Sequence, residues 1–270
     1  MSGPYSDLDR PPLSPTALAA ALTGPGSLWT RVDVVPETES TNADALAAAA
    51  AGAPEGVVVV AEHQSAGRGR AGRSWSAPPR SGLTFSVLLR PPAASRPHWG
   101  SLPLLTGVAV AEAVRRVGGV DAGLKWPNDV LVGERKLAGI LAESTADAVV
   151  VGVGLNVSLR AGELPVGHAT SLLLESAECT DRDPLLRAVL RGIERWYARW
   201  GDHAGDPVAC GLLAAYRDLC ATLGREVAVH LPGGRVVSGT AVEVDSAGRL
   251  VVEGPSGRTP FAAGDVIHLR

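Results

Sequence analysis

Four short strand-like segments crowd into the middle of the chain, at 124–126, 130–132, 137–143 and 149–157, with Gly133-Glu134 supplying a hairpin turn between the second and third. Spacing this close demands a sheet-rich centre, so helices must come from the flanks. Upstream, a strand at 32–35 leads to Ser40-Thr41-Asn42, which opens an Ala-rich helix closing near Gly52. A β-branched strand at 57–60, a Gly/Arg-rich loop running through Pro79 and a strand at 83–89 follow. A Pro-rich stretch at 91–97 then separates that strand from an apolar segment at 99–117 that reads as a buried helix. Helical periodicity returns at 184–200 and 210–223, and short strands with Gly-containing turns such as Pro232-Gly233-Gly234 run to the end as a small all-β unit. The sum is an α+β chain. Residues 1–28 read as an N-terminal arm, with Ser14 as N-cap and Pro15 at the first position of one short helix. A piece well under about 40 residues rarely folds alone, so no independent N-terminal DNA-binding domain is expected there.

Composition narrows the function classes. At 270 residues and 46% hydrophobic content the chain can bury a substantial core. A formal charge of -3 gives no whole-molecule drive toward nucleic acid or an anionic membrane, so any anion site must be local. Three cysteines without C-x-x-C spacing indicate neither a disulfide framework nor a zinc site, and suggest a reducing, cytoplasmic setting. There is no basic start followed by an apolar run and no stretch apolar enough to span a bilayer. Of 25 basic residues only Lys125 and Lys136 are lysines. A compact ammonium, which differs from the guanidinium fork in geometry and hydration, is therefore expected to matter at those two positions.

Two constellations carry chemistry. Gly67-Arg68-Gly69-Arg70-Ala71-Gly72-Arg73 follows a strand and satisfies G-x-G-x-x-G when read literally. The dinucleotide fingerprint needs a helix N-terminus directly behind it, whereas Ser74-Trp75-Ser76-Ala77-Pro78-Pro79 cannot continue a helix. What survives is a loop with exposed backbone N–H groups and forked arginine donors, suited to phosphates or a carboxylate. A solvated basic turn or an RNA-binding segment is the alternative, and only Trp75 is available to stack on a base. The second constellation is Lys125-Trp126-Pro127-Asn128-Asp129 followed by Lys136-Leu137-Ala138-Gly139-Ile140. Across a hairpin turning at Gly133, Asn128 and Asp129 face Lys136. Phosphoryl-transfer chemistry uses that pairing: a carboxylate for Mg²⁺ and an ammonium for developing charge. A third element, Gly152-Val153-Gly154-Leu155-Asn156, places glycines in a strand, which marks a bulge or a close approach of backbone to ligand.

Ser40-Thr41-Asn42, Glu62-His63-Gln64 with the 67–73 loop, 125–129, 136–140 and 152–156, in this order, resemble the motif series of the biotin protein ligases. The resemblance implies the mixed β-sheet with packed helices of the biotin/lipoate ligase catalytic fold over residues 29–220, and a small SH3-like β-barrel over 221–270. It implies that Ser40, Thr41, Asn42, Gln64, Arg68, Gly69, Arg70, Lys136 and Gly139 hold biotin. Arg68, Arg70, Arg73, Trp75, Lys125, Asn128 and Asn156 would then meet ATP or the adenylate, with Trp126 also near the ligands. Lys136, Arg70 and Asp129 would act in catalysis, Asp129 through Mg²⁺. The implied reaction joins biotin to ATP as an adenylate and passes it to a lysine of a biotin carrier domain of a carboxylase. A monomer or weak homodimer is implied, with no nucleic-acid or membrane partner. Two rivals stand beside this: a lipoate protein ligase or octanoyl transferase of similar fold, and a non-enzymatic binder that keeps the pocket without the chemistry.

Overall fold

The computed structural model describes residues 9–231, 233–255 and 257–269. Three runs rich in β-branched and aliphatic residues, β2 (Val57–Ala61), β3 (Gly82–Leu89) and β7 (Val149–Asn156), are buried at every position. Such runs form central strands covered on both faces. With β1 (Arg31–Val35), β4 (Ala122–Lys125), β5 (Asp129–Val132) and β6 (Arg135–Ser144) they build a seven-stranded sheet in the order β1-β2-β3-β7-β6-β5-β4. Only β1 and β2 among these pair in parallel, Arg31 opposite Val57 through Val35 opposite Ala61. A parallel pair needs a crossover, and α2 (Thr41–Ala50) provides it.

This short helix packs on one face of the sheet, where Ala45 and Ala49 meet Val57, Val59, Leu88 and Val150. The opposite face is covered by α3 (Leu102–Ala113), α4 (Arg182–Asp202), α5 (Leu212–Leu219) and α1 (Pro15–Leu22), which share the larger core. All of α3 except Pro103 and Glu112 is buried. The apolar segment expected as one helix over 99–117 is divided: a 3-10 stretch, Ala93–Ser101, carries Pro97, α3 takes the middle, and a π turn, Val114–Gly118, ends it. The Pro-rich run is thus a tight 3-10 lead-in, the form available to a segment whose prolines cannot donate i→i−4 bonds. α5 stops before the expected 223 because Ala221 N donates to Leu124 O at 2.8 Å, pulling the chain out of the helix.

Ser14 caps α1 as expected, its hydroxyl accepting from Ala17 N at 3.2 Å. The residues around that helix do not stand apart: Leu13, Leu18, Leu22 and Trp29 are buried in the main core.

The remaining strands, β8 (Glu226–His230), β9 (Val236–Val244), β10 (Leu250–Gly254), β11 (Gly257–Phe261) and β12 (Asp265–His268), form an antiparallel sheet in the order β11-β10-β9-β8-β12. Pro232 of the expected turn lies outside the described residues. The apolar side of this sheet, including Val227, Val229, Val252 and Phe261, is continuous with the large core. Polar contacts pin the two sheets together. Trp126, buried and just after β4, donates from Nε1 to Gly248 O at 3.0 Å, and Arg225 pairs with Glu134 at 2.6 Å.

Candidate active site

The α2 helix is too short to cover its whole face of the sheet, and the uncovered end becomes a cleft. Its floor follows from cross-strand register. Thr84 lies opposite Gly154, Gly154 opposite Gly139 and Gly139 opposite Asp129, while Ser86 lies opposite Gly152 in the next row. Period-2 alternation puts the members of each row on one face, and three glycines in adjacent strands leave that face without side chains. The vacated volume is used. A Cβ on Gly152 would sit 2.1 Å from Asn42 Oδ1, and one on Gly154 would sit 2.2 Å from Trp75 Cε2.

At the α2 end the lining is polar and closely bonded. Gln64 Oε1 accepts from Thr41 N at 2.8 Å and from Thr41 Oγ1 at 3.0 Å. Ser86 Oγ lies 2.8 Å from Thr41 Oγ1 and donates to Asn42 Oδ1 at 2.6 Å. Asn42 Nδ2 donates to Glu143 Oε2 at 2.7 Å, and Glu143 faces Arg68 at 3.7 Å. Ser40, Thr41 and Asn42 are all buried.

At the other end Lys136 Nζ stands 2.7 Å from Asp129 Oδ1. The contact is an ion pair and not an aligned hydrogen bond, since Asp129 Oδ1 has no hydrogen-bond donor. Lys136 Nζ also lies 5.9 Å from the centroid of the Trp75 ring, within cation–π range. Asn156 Nδ2 donates to Thr170 O at 2.9 Å, leaving its buried Oδ1 without a partner, an acceptor that a ligand could satisfy.

The 67–73 loop closes over the cleft as a hairpin. Gly69 N donates to Arg73 O at 2.7 Å and Trp75 N to Gly67 O at 2.8 Å. Its tip is a 3-10 turn, Arg70–Gly72, with Ala71 and Gly72 at positive φ of 55° and 73°. Gly67 is required by crowding, since a Cβ there would meet Trp75 O at 2.4 Å. Arg70 donates to Asn128 Oδ1 at 3.1 Å, and Asn128 is itself fixed by donating to Ile140 O at 3.0 Å. Burial, with Arg73 nearby, disfavours the charge on Arg70. A second anion would relieve that, which suits a phosphate ligand.

The hairpin separates two adjoining chambers. The first, about 200 Å³, is lined by Ser40, Thr41, Asn42, Gln64, Arg68, Gly69, Arg70, Arg73, Trp75, Asn128, Lys136, Gly139 and Asn156 among others. The second, about 530 Å³, opens between the hairpin, the start of α3 and the Gly248 turn of the C-terminal sheet.

Most of the residues expected at the site therefore meet in one place. Lys125 does not line either chamber; at the end of β4, its ammonium is disfavoured by burial despite the nearby Asp129. Arg73, expected at the nucleotide, forks onto Asp265 of β12 at 3.1 and 3.2 Å. Trp126 is an anchor between the two sheets, although one edge reaches the second chamber. Asp129 is a poor metal site. Its carboxylate is engaged by Lys136, and among the described residues no three His, Cys, Asp or Glu side chains converge to hold an ion. A metal held by the protein alone does not fit.

Sequence reasoning missed Ser86, Glu143, Gly152's contact with Asn42, and the wall formed by Pro165, Val166, His168 and Ala169. Thr84 and Ser86 could have been found, as alternating polar residues in an otherwise apolar strand. The wall has no local signal.

Comparison with known proteins matches residues 34–158 to the biotin/lipoate A/B protein ligase family and residues 222–269 to the biotin protein ligase C terminal domain. The chain is 45% identical over 265 residues to the biotin--[acetyl-CoA-carboxylase] ligase of Mycobacterium tuberculosis, covering 97% of each chain. It is 31% identical to the bifunctional ligase/repressor BirA of Escherichia coli, covering 78% of this chain and 66% of that one. In fold it is similar to the biotin protein ligase from Aquifex aeolicus solved with biotin and ATP, at TM-score 0.76 and 28% identity over 90% of this chain and all of that one.

Proposed function

From the premise that this chain belongs to the biotin protein ligases, we propose that it condenses biotin with ATP and transfers the biotinyl group to a lysine of a carboxylase's biotin carrier domain. The observation that carries this reading is the polar network at the α2 end of the glycine-floored chamber. Gln64, Thr41 and Asn42 line that end and are fixed by bonds to one another and to Ser86 behind them, so a ureido ring, with two N–H donors and one carbonyl, meets polar groups already set in place. A lipoyl dithiolane has no such groups and would set sulfur and carbon against this polar end of the chamber, with no hydrogen bond in return. The network thus favours biotin over lipoate.

The other end of the chamber suits the chemistry. With the ring seated on the network, the biotin carboxylate lies toward Lys136, whose ammonium neutralises it and then the charge growing on the α-phosphate. In-line attack by a carboxylate oxygen on the α-phosphorus forms the mixed anhydride and expels pyrophosphate. Asp129 holds Lys136 in position, and Arg70, held by Asn128, meets the phosphate. The acceptor ε-amine then attacks the activated carbonyl and AMP leaves. Until it arrives, the hairpin with Trp75 keeps water from the anhydride. Mg²⁺ would arrive with the triphosphate and would supply charge neutralisation there, since among the described residues the protein's own side chains do not form a site for it. Cys179, Cys210 and Cys220 are free thiols, which supports a reducing compartment. None of the helices among the described residues is long and apolar enough to cross a membrane.

The direct test is pyrophosphate release from purified protein given ATP with biotin, with lipoate, or with neither. Release that needs biotin supports the reading; release with lipoate alone, or biotin binding without release, sinks it.

A further inference from the structure

The N-terminal segment reaches the active site through one buried arginine. Arg10 is 6% exposed and forks onto Glu163, Nη1 to Oε1 at 3.1 Å and Nη2 to Oε2 at 2.5 Å, while Nη2 also donates to Ser158 O at 2.7 Å. Next to it, Arg160 donates to Asp9 Oδ2 at 3.1 Å. The segment is itself clamped: Leu13 N donates to Glu62 Oε1 at 2.7 Å and Arg182 donates to Pro11 O at 2.6 Å and to Glu62 Oε2 at 2.5 Å.

What Arg10 grips is the near end of the chamber wall. Glu163 closes the 3-10 turn Ala161–Glu163, its carboxylate also accepting from Arg160 N at 2.8 Å. Hydrogen bonding from Arg10 holds that carboxyl below its ordinary range, so it stays ionised at neutral pH. Two residues further on the chain lines the chamber at Pro165, Val166, His168 and Ala169. The far end of this wall is fixed on β6, where Lys136 N donates to His168 O at 2.7 Å and Thr170 N to Lys136 O at 2.8 Å. The wall is therefore a short span between two anchors. One is the backbone of Lys136, and the other is a residue from the opposite end of the sequence.

We propose that residues 9–13 form a strap that holds the 164–169 wall against the nucleotide half of the site, with Arg10 as a positioning residue acting through Glu163. The assignment of that half to nucleotide rests on the function proposed above, because the wall flanks Lys136 and Asn156 and not the Gln64 network. A wall tied at both ends is ordered before ligand arrives; with one end released, binding must bear the ordering cost. The effect should therefore fall on nucleotide affinity and leave biotin's own seat alone.

The test uses the full chain carrying Glu163→Gln, which cuts the ion pair from the partly exposed side and leaves the strap's clamp intact, with Arg10→Lys as a second variant that keeps the charge and loses the fork. Two readouts are taken: steady-state KM for ATP and for biotin, and amide hydrogen exchange across 158–172 without ligands. Glu163→Gln should raise the ATP KM by about 5- to 30-fold, the loss of roughly one charge-assisted pair. Biotin KM should stay within about 2-fold and exchange across the wall should accelerate, with Arg10→Lys intermediate. Unchanged exchange, or equal rises in both KM values, would overturn the strap. Wild-type protein without biotin-dependent pyrophosphate release would overturn the functional reading instead, and the exchange measurement would still decide the strap.

Discussion

Replacing Lys136 with glutamine isolates the charge at the centre of the mechanism. The ammonium is 23% exposed and sits 2.7 Å from Asp129, in a cleft floored by bare backbone. At an effective dielectric of about 20, a unit charge about 4 Å away contributes about 4 kcal/mol, and loss of one preorganised donor to a developing charge lowers kcat by about 10²- to 10³-fold. Glutamine keeps a polar side chain, one bond shorter, and loses the charge, so kcat for biotin-dependent pyrophosphate release should fall within that range. The single variant also leaves a partly buried carboxylate unpaired, which can act through stability. Lys136→Gln combined with Asp129→Asn separates the two effects. The double variant should recover most of the thermal stability and none of the rate, measured by single-turnover pyrophosphate release and calorimetry. A fall in kcat under about 10-fold, or recovery of rate in the double variant, would refute the assignment of Lys136 to charge stabilisation.

Gly154→Val should abolish ligand binding by calorimetric titration while the protein stays folded, because its Cβ lies 2.2 Å from the Trp75 ring and forces the indole into the chamber; unaltered biotin affinity would show that the floor is not used. Arg70→Ala should bind biotinyl-adenylate and release it faster than wild type in a chase experiment, since Arg70 ties the hairpin to Asn128; equal release would remove the hairpin's sealing role. His268 hydrogen-bonds with Thr222 at 3.1 Å beside the Glu134–Arg225 pair, and burial, then Lys125 and Arg225, hold its pKa below the ordinary 6.5. The unfolded chain therefore takes up this proton first as pH falls, and stability drops from about pH 6.5 downward, through the folded pKa. His268→Gln should flatten that slope in melting curves between about pH 5 and 7, and an unchanged slope would place the dependence elsewhere.

Local signals explain how much of this was legible from residue order. The β-branched runs at 57–60 and 149–157, the Gly133 hairpin and the Ser14 cap depend on neighbours within a few positions, and each forms where those neighbours direct. The pairing of Asp129 with Lys136 was legible for the same reason, being one hairpin away. Gly139, Gly152 and Gly154 were visible singly, yet their meaning is a sum over two neighbouring strands, and a floor appears only once register aligns them. Glu143, Trp126 and Arg73 owe their roles to partners about 100 to 190 residues distant, Asn42, Gly248 and Asp265, which no local pattern encodes. The wall at 164–169 and its anchor at Arg10 are the extreme case: an irregular segment held by the far end of the chain.

On the proposed function, the Gln64–Thr41–Asn42 end of the chamber, backed by Ser86, selects biotin for transfer to protein. Its most direct test is the mass of a biotin carrier domain after incubation with the enzyme, Mg²⁺-ATP and equal biotin and lipoate. A single biotinyl addition on the acceptor lysine is expected, lost without ATP and not replaced by lipoyl. A lipoyl addition, or an unmodified acceptor while biotin is bound, would contradict it.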